Sequence, residues 1–333
     1  MSAAALDRLL AILVAAQLGT GLLSLRAGSP PTAPLFVLHG ILGGALLVAV
    51  AWKLKRSVPP AVRGRRWGRL ALGAALAALA LAALGGGFVW VASGRILTVG
   101  PWTVLTLHVI AALLLVPIAV AHLLPRRWRL LRPPAAMSRE RLLTRRTALA
   151  TLGLSVLGVG AWAAANVVEA LTGGMRRFTG SRWLPDGGIP PPTTFFGESV
   201  EPLDAVAWRL RVVGRVRRPL ELGLAELSEL GDDEDGAVLD CTGGWALRTT
   251  WGGVRLGRLL DEAGAGGDAR TVTVRSVTGW YAHMPVEEAR RALLATRVSR
   301  QPLPHGNGAP CRLVAPDRRG LEWVKWVTEV EVS

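Results

Sequence analysis

The sequence predicts an all-α helical bundle that crosses a membrane, followed by a separate α+β domain. Half of the 333 residues are hydrophobic, yet the chain carries a net charge of +15. High hydrophobicity beside strong basicity is typical of membrane spans with basic flanks. From about Thr194 the pattern changes to short alternating segments separated by turn residues, which indicates a folded domain of mixed secondary structure.

Five apolar runs are long enough, or nearly so, to cross roughly 30 Å of hydrocarbon as helices. Their interiors contain no charged residue. The runs are Leu9–Leu25, Leu35–Trp52, Leu70–Ala92, Val104–Leu124 and Ala148–Val168. The first four predict a four-helix transmembrane bundle, and the fifth predicts an anchor helix.

The loops between these runs predict the orientation of the chain. The second and fourth loops are rich in Lys and Arg, whereas the other two carry only Arg26 and Arg95. Since basic loops stay in the cytoplasm, we expect a multi-pass cell-membrane protein with a cytoplasmic N-terminus and an extracytoplasmic C-terminal domain. Membrane lipid is therefore an expected partner. The basic residues cluster beside apolar runs, so we expect no nucleic-acid partner.

Two histidines lie at matched depth in the second and fourth runs, which cross the membrane in the same direction. They are His39 and His108. Two imidazoles on neighbouring helices can bind one haem iron from both faces. The alternative is a hydrogen bond between the helices, because an ionisable ring within a span usually has a partner.

A third histidine raises the question of a second haem. His122 follows His108 by fourteen residues, which returns to nearly the same helix face about 21 Å further along. This spacing resembles the membrane di-haem cytochrome b pattern. The matching position on the second run is Lys53. We therefore predict one haem b, near the outer face, and expect His122 to be an interfacial residue.

The segment before the fifth run resembles a twin-arginine export signal, with Arg145 and Arg146 preceding a Gly/Ala-rich run. Additional cytoplasmic positive charge is the alternative. The predicted domains are residues 1–130 for the cytochrome b-like bundle, 131–172 for the basic loop and fifth helix, 173–193 for a Gly/Pro-rich linker and 194–333 for the α+β domain.

The C-terminal domain centres on Cys241, which ends an apolar strand-like run and precedes Gly243 and Gly244. A thiol at a strand end with permissive backbone can be presented to a metal or cofactor. A buried small hydrophobe is the alternative. Cys311 is the other cysteine, and the two could form a disulfide.

Secondary structure in this domain follows from the alternation of apolar and polar residues. Strands are predicted at Trp208–Val213, Thr271–Val277, Arg312–Ala315 and Val324–Val332, helices at Leu224–Leu230 and Val286–Leu294, and an acidic turn at Asp232–Asp235.

An ordered set of short motifs carries a family resemblance over residues 194–332. The pieces are Thr194-Phe195-Phe196, Trp208-Arg209-Leu210-Arg211-Val212-Val213-Gly214, Arg218-Pro219-Leu220, Leu239-Asp240-Cys241, Trp251-Gly252-Gly253-Val254, Ser276-Val277-Thr278-Gly279-Trp280, Leu303-Pro304-His305-Gly306-Asn307, Pro310-Cys311-Arg312-Leu313-Val314 and Trp323-Val324-Lys325-Trp326. The set resembles the molybdopterin-binding domain of sulfite oxidase and related enzymes, including the periplasmic methionine-sulfoxide reductase catalytic subunit. The resemblance implies the sulfite oxidase molybdopterin-binding fold and a molybdenum-cofactor oxidoreductase.

The resemblance also implies roles for individual residues. Cys241 matches the thiolate that binds molybdenum, and the residues that match pterin and phosphate contacts are Ser276, Asn307, Arg312 and Lys325. Arg and Lys suit phosphate, while Ser and Asn suit the pterin edges. Phe195 and Phe196 match the segment that borders the pocket. Cys311 is expected to belong to the core.

Two positions depart from the family pattern or extend it. Alignment on Arg312 places Asn307, rather than His305, at the cofactor position. Tyr281, the only tyrosine, follows Gly279-Trp280 near the expected pocket rim and is a candidate for catalytic hydrogen bonding or proton relay. An ordinary half-buried side chain is the alternative.

Together the two halves predict a membrane-bound molybdopterin-dependent oxidoreductase. It would act on a small oxyanion or an S- or N-oxide by oxygen-atom transfer. It would exchange electrons with quinone, quinol or another membrane electron carrier through haem b. A cofactor-free, membrane-anchored binding or sensor module is the alternative. Because the runs lack acidic residues, a proton-coupled transporter is disfavoured.

Overall fold

The structure is a computed structural model that describes residues 3–65, 67–124, 145–193 and 200–333. The chain forms two compact units. The first comprises Met1–Ser24 and Pro31–Arg182, and the second comprises Leu25–Pro30 and Trp183–Ser333. The predicted linker, residues 173–193, is thus divided between the two units.

The first unit is built from long helices. They are α1 (Ala3–Ser24), α2 (Ala33–Arg63), α3 (Trp67–Ala92), α4 (Val104–Leu123) and α5 (Arg145–Leu171), and the short strands β1 (Thr98–Val99) and β2 (Trp102–Thr103) precede α4. Among the described residues, five helices are long and apolar enough to cross a membrane. All five match the predicted runs, although α2 continues past Trp52 to Arg63 and includes Pro59 and Pro60.

Glycines allow close packing between α2 and α5. A Cβ added to Gly44 would lie 2.7 Å from the carbonyl oxygen of Gly158, and one added to Gly158 would lie 2.8 Å from that of Ile41. Small residues are what bring helix backbones together in a bilayer, where apolar burial gives no drive for association. Where α2 packs against α1, the Lys53 ammonium donates to Asp7 at 2.5 Å.

A network of charged side chains explains why residues 173–182 belong to the helical unit. Arg182 and Arg176 both bind the buried carboxylate of Glu169, at the end of α5. Arg182 also donates to the carbonyl oxygens of Trp90 and Val91, at 2.7 and 2.8 Å. These are last-turn carbonyls of α3, which have no partner within the helix. The segment is therefore tied to two helix ends instead of acting as a free spacer.

The second unit contains two sheets. Its strands are β3 (Arg182–Trp183), β4 (Leu210–Gly214), β5 (Leu220–Leu222), β6 (Asp233–Asp240), β7 (Trp245–Arg255), β8 (Thr271–Ser276), β9 (Tyr281–Pro285), β10 (Leu293–Val298), β11 (Gln301–Pro302), β12 (Arg312–Val314) and β13 (Val327–Val332). One sheet has the order β11-β10-β7-β3, with β6 also on β7 and β12 on β10. The other has the order β5-β4-β13-β8-β9, in which only β4 and β13 run parallel.

Three short helices complete this α+β unit: α6 (Leu224–Glu229), α7 (Leu256–Ala263) and α8 (Val286–Arg291). Helix α7 buries one apolar face, which consists of Leu256, Leu259, Leu260 and Ala263. This is the spacing of a single helix face. The helix ends at Gly264, whose φ of 66° is the left-handed conformation that glycine adopts without a Cβ clash.

Two secondary-structure predictions for this unit are wrong. The acidic segment Asp232–Asp235 was expected to form a turn, but β6 begins at Asp233 because Arg255 and Arg258 neutralise its carboxylates. The segment Val286–Leu294 was expected to be helical throughout, but α8 ends at Arg291 and Leu293 begins β10. The other predicted elements are present with shifted ends.

Gly253 provides a stability test of the first sheet. A Cβ at this position would lie 2.1 Å from the carbonyl oxygen of Leu294, on the neighbouring strand β10. We expect Gly253→Ala to lower the free energy of unfolding by about 2 to 3 kcal/mol, because the two strands must separate. Denaturant unfolding followed by tryptophan fluorescence measures this change.

Gly236→Ala, on the adjoining strand β6, is the matched control. A Cβ there meets no atom within 4 Å, so we expect a change within about 0.5 kcal/mol. Equal unfolding midpoints for the two variants would contradict the packing described for β7 and β10.

Candidate functional site

Cys241 lies directly after β6, in a tight loop that leads into β7. Its backbone N–H donates to the carbonyl oxygen of Trp245 at 2.8 Å, and its own carbonyl accepts from the N–H of Gly244 at 3.0 Å. Gly244 has a φ of 103°, a conformation that favours glycine. The Gly-Gly sequence thus lets the chain reverse within one short loop and holds the cysteine at the strand end, as predicted.

The Cys241 thiol is buried, with 8% of the residue exposed. The N–H of Gly243 points at the sulfur, with a nitrogen–sulfur distance of 3.3 Å. Burial raises the pKa of the thiol, while the Gly243 N–H, the Thr193 side chain and the charge of Arg319 oppose that rise. A bound metal would lower the pKa of such a thiol and displace its proton. Cys241 and Cys311 are both free thiols, so the open possibility of a disulfide is wrong.

Arg312, on β12, brings a buried positive charge to the same region. Only 3% of the residue is exposed, and its guanidinium lies between the rings of Trp251 and Trp323, at 5.4 and 5.8 Å from their centroids. Its Nη1 donates to the carbonyl oxygen of Asn307 at 2.9 Å. Burial lowers the pKa of Arg312 to about 10, and the neighbouring Cys241 opposes this shift.

Two buried nitrogen atoms at this position, one of them in the guanidinium itself, have no hydrogen-bond partner in the part of the chain that the structure describes. They are Arg312 Nε and Trp251 Nε1. No carboxylate among the described residues forms an ion pair with Arg312. A buried cation with unused donors is costly unless an anion accepts from it. The donor set therefore fits an anionic group such as the phosphate of a pterin cofactor, for which a guanidinium is well suited.

Asn307 and Lys325 adjoin Arg312, as the sequence predicts. The Asn307 amide is buried and donates to the carbonyl oxygen of Pro190 at 2.9 Å. Lys325 Nζ donates to the carbonyl oxygens of Thr193 and Gly306, at 2.5 and 2.7 Å. Three of the predicted cofactor residues thus come from neighbouring segments of one region.

Ser276 ends β8 next to this group. The N–H of the following residue, Val277, donates to the carbonyl oxygen of Trp326 at 3.0 Å. The Ser276 hydroxyl accepts from the backbone N–H and the hydroxyl of Thr278, at 3.2 and 3.1 Å. The serine therefore shapes the turn beside Lys325, and its predicted contact with a pterin stays a prediction.

Other predicted residues lie elsewhere or outside the description. Tyr281 begins the edge strand β9, is 56% exposed, and has the Arg275 guanidinium 5.4 Å from its ring centroid. Its catalytic role stays a prediction. His305 Nε2 lies 2.7 Å from the carbonyl oxygen of Val200. Phe195 and Phe196 lie outside the described residues.

Sequence reasoning missed the ion pair behind the cysteine. Arg319 Nε lies 3.4 Å from Asp240 Oδ1, and both residues are buried. Asp240 directly precedes Cys241 in the sequence, which was the available signal. Its partner is distant in the chain and has no spacing that reveals it.

In the helical unit, the structure brings His39 and His108 together. Their ring centroids lie 6.1 Å apart. With metal–imidazole bonds of about 2.1 Å, two rings on opposite faces of one metal ion have centroids roughly 6 Å apart. The separation is compatible with both rings binding one metal ion, and haem ligation stays a prediction.

Hydrogen bonds fix which nitrogen of each ring carries the proton. The Thr20 hydroxyl donates to the carbonyl oxygen of Ala16 at 2.8 Å, so its oxygen accepts from His39 Nδ1 at 2.9 Å. His108 Nδ1 donates to the carbonyl oxygen of Ala83 at 2.6 Å. Both rings then present an unprotonated Nε2, which is the form that binds metal. The Gln17 amide nitrogen lies 3.2 Å from His39 Nε2 and is its hydrogen-bond partner in this structure.

Comparison with known proteins defines the class of the second unit. Residues 198–333 match the family model of the oxidoreductase molybdopterin binding domain. This match covers the cysteine region and every motif named above except Thr194-Phe195-Phe196. Residues 198–333 therefore form an oxidoreductase molybdopterin binding domain, as the resemblance in the sequence implies.

Particular relatives support this class. The chain is 27% identical over 158 residues to the uncharacterized oxidoreductase YuiH of Bacillus subtilis (strain 168), covering 44% of this chain and 80% of that protein. It is 31% identical over 141 residues to the protein-methionine-sulfoxide reductase catalytic subunit MsrP of Xanthomonas axonopodis pv. citri (strain 306), covering 37% of this chain and 44% of the relative.

A solved structure is also similar to part of the chain. The sulfane dehydrogenase SoxCD from Paracoccus pantotrophus is similar with a TM-score of 0.38 and 24% sequence identity, covering 40% of this chain and 39% of that one. The chain spans less than half of the methionine-sulfoxide reductase relative and of this structure.

Arg312 gives a direct test of the cofactor region. We expect Arg312→Met to lower molybdenum and pterin content at least about tenfold, because a hydrogen bond to a charged group contributes roughly 1.5–3 kcal/mol. Arg312→Lys keeps the charge and should retain part of the content. Elemental analysis for molybdenum and pterin fluorescence measure both variants in the purified full-length protein.

Arg248→Met is the matched control, because Arg248 is an exposed arginine on β7. It should retain the wild-type molybdenum content. Full loading of Arg312→Met would show that the buried guanidinium does not hold the cofactor.

Proposed function

We propose that the protein is a membrane-bound molybdopterin-dependent oxidoreductase that acts on a small oxyanion or an S- or N-oxide. Electrons would pass between the substrate and the quinone pool through a b-type haem. When bound, the molybdenum cofactor supplies two-electron oxygen-atom chemistry, while the haem transfers single electrons.

The observation that carries this proposal is the buried Arg312 guanidinium, with donors left unused among the described residues, in the neighbourhood of the Cys241 thiol. The cysteine would supply a soft sulfur ligand to molybdenum. Arg312 and Lys325 would hold the phosphate of the cofactor, and Asn307 would orient it. The similarity to the methionine-sulfoxide reductase catalytic subunit supports including S-oxides among the candidate substrates.

The geometry of His39 and His108 supports a haem in the helical unit. Both rings are held in the tautomer that binds iron through Nε2, at a separation suited to one metal ion. Lys53 occupies the position that a second ligand would need on α2, and it is paired with Asp7. This ion pair favours a single haem over two.

Contacts within the second unit support an extracytoplasmic site. Ala27, in the loop between α1 and α2, forms an isolated β-bridge with Arg318 of the molybdopterin-binding domain. That loop carries only one basic residue, Arg26, which is typical of a loop outside the cytoplasm. The catalytic domain and this loop would therefore occupy the same side of the membrane.

A substrate screen of the purified protein tests the function. Sulfite and a set of S- and N-oxides would be supplied with quinone or quinol, and turnover would be followed by the haem redox spectrum. We expect one class to support turnover that Cys241→Ser abolishes while the haem spectrum stays intact. Cys311→Ser is the control and should retain turnover, because Cys311 is a buried core residue.

Undiminished turnover in Cys241→Ser would remove molybdenum ligation by this cysteine from the proposal. Absence of both molybdenum and turnover in the wild type would favour the cofactor-free binding module.

The haem ligands are tested separately. His39→Ala and His108→Ala should each abolish the b-type reduced-minus-oxidised spectrum, since one iron needs both rings. His122→Ala, which changes a histidine on the same helix as His108, should keep it. A b-type spectrum that survives either ligand change would assign the iron to other residues.

A further inference from the structure

Asp240 and Arg319 form a buried ion pair directly behind the cysteine. The Asp240 side chain is fully buried and 3% of Arg319 is exposed. Burying two charges incurs a desolvation penalty that their attraction often fails to recover, so such a pair is weak evidence for stability. Its position beside Cys241 points to a different role.

Arg319 contacts the backbone of Cys241 as well as its neighbour. Arg319 Nη2 donates to the Cys241 carbonyl oxygen at 3.3 Å, the same oxygen that accepts from Gly244. The guanidinium therefore connects the carboxylate of Asp240 to the peptide that carries the thiol.

The segment that carries Arg319 packs closely against the end of β6. A Cβ on Gly320 would lie 3.1 Å from Leu239 Cδ1 and 3.2 Å from the Asp240 carbonyl oxygen, so the backbones pack closely. Arg318 is fixed by ion pairs to Glu288 and Glu322. Arg319 thus reaches the cysteine from a fixed position.

We propose that Arg319, oriented by Asp240, is a positioning residue for the molybdenum ligand Cys241. Its hydrogen bond to the Cys241 carbonyl oxygen orients the cysteine. Its guanidinium also places a fixed positive charge near the ligating sulfur. Partners of metal ligands tune the properties of the metal through such contacts. This inference rests on molybdenum binding at Cys241.

The fixed charges predict shifts of opposite sign in the molybdenum reduction potential. Asp240→Asn leaves the positive charge uncompensated, which stabilises the reduced, more negative centre and should raise the potential. Arg319→Gln leaves the negative charge and should lower the potential. Arg319→Lys keeps a positive charge and should remain nearer to the wild type than Arg319→Gln.

Redox titration of the Mo(V) electron paramagnetic resonance signal measures these shifts, with molybdenum content determined in parallel. We also expect turnover to fall about 10- to 100-fold in Arg319→Gln. Asp235→Asn is the matched control, because Asp235 pairs with Arg255 near the other end of the same strand. It should leave the potential and the Mo(V) signal unchanged.

Unchanged reduction potentials would overturn the proposal if Asp240→Asn and Arg319→Gln both retain full molybdenum content. Shifts of the same sign in the two variants would also overturn it. If Arg319→Gln does not fold, the near-isosteric Asp240→Asn decides alone by the direction of its shift. A wild-type protein without molybdenum would instead refute the proposed function, so the two failures are distinguishable.

Discussion

A buried positive charge in the C-terminal domain is left incompletely satisfied by the residues that the structure describes. Arg312 is enclosed by Trp251 and Trp323, and its Nε has no partner in the described part of the chain. A protein interior tolerates such a group when a ligand completes it. The surrounding segments supply a lysine, an amide and a thiol around this charge. The domain is therefore shaped to receive an anionic, metal-bearing cofactor.

The candidate metal ligands of the two units are held by the same physical means. In the domain, Gly243 and the peptide contacts of Cys241 hold the sulfur at the end of β6. In the helices, the Thr20 hydroxyl and the Ala83 carbonyl determine which nitrogen of His39 and His108 is available. In each case a neighbouring backbone or hydroxyl group orients the candidate ligand. This arrangement would limit the reorganisation that metal binding requires.

Local sequence patterns made much of the fold and of the candidate site predictable. Hydrophobic length identified the five helices, and the family motifs identified Cys241, Asn307, Arg312 and Lys325 as neighbours of one region. The family match confirms the class of the domain, and the structure confirms its α+β architecture. The sequence could not reveal the partner of Asp240, because ion pairs between distant segments leave no periodic signal. For the same reason the acidic start of β6 was predicted as a turn, since its neutralising arginines lie some twenty residues further along the chain.

The most direct test of this account is the molybdenum and pterin content of the purified, full-length protein. We expect molybdenum and pterin to be present in equimolar amounts with the chain, because the buried Arg312 charge and the Cys241 sulfur form a site suited to such a cofactor. A well-folded protein, produced in cells that make the cofactor yet containing neither molybdenum nor pterin, would contradict it.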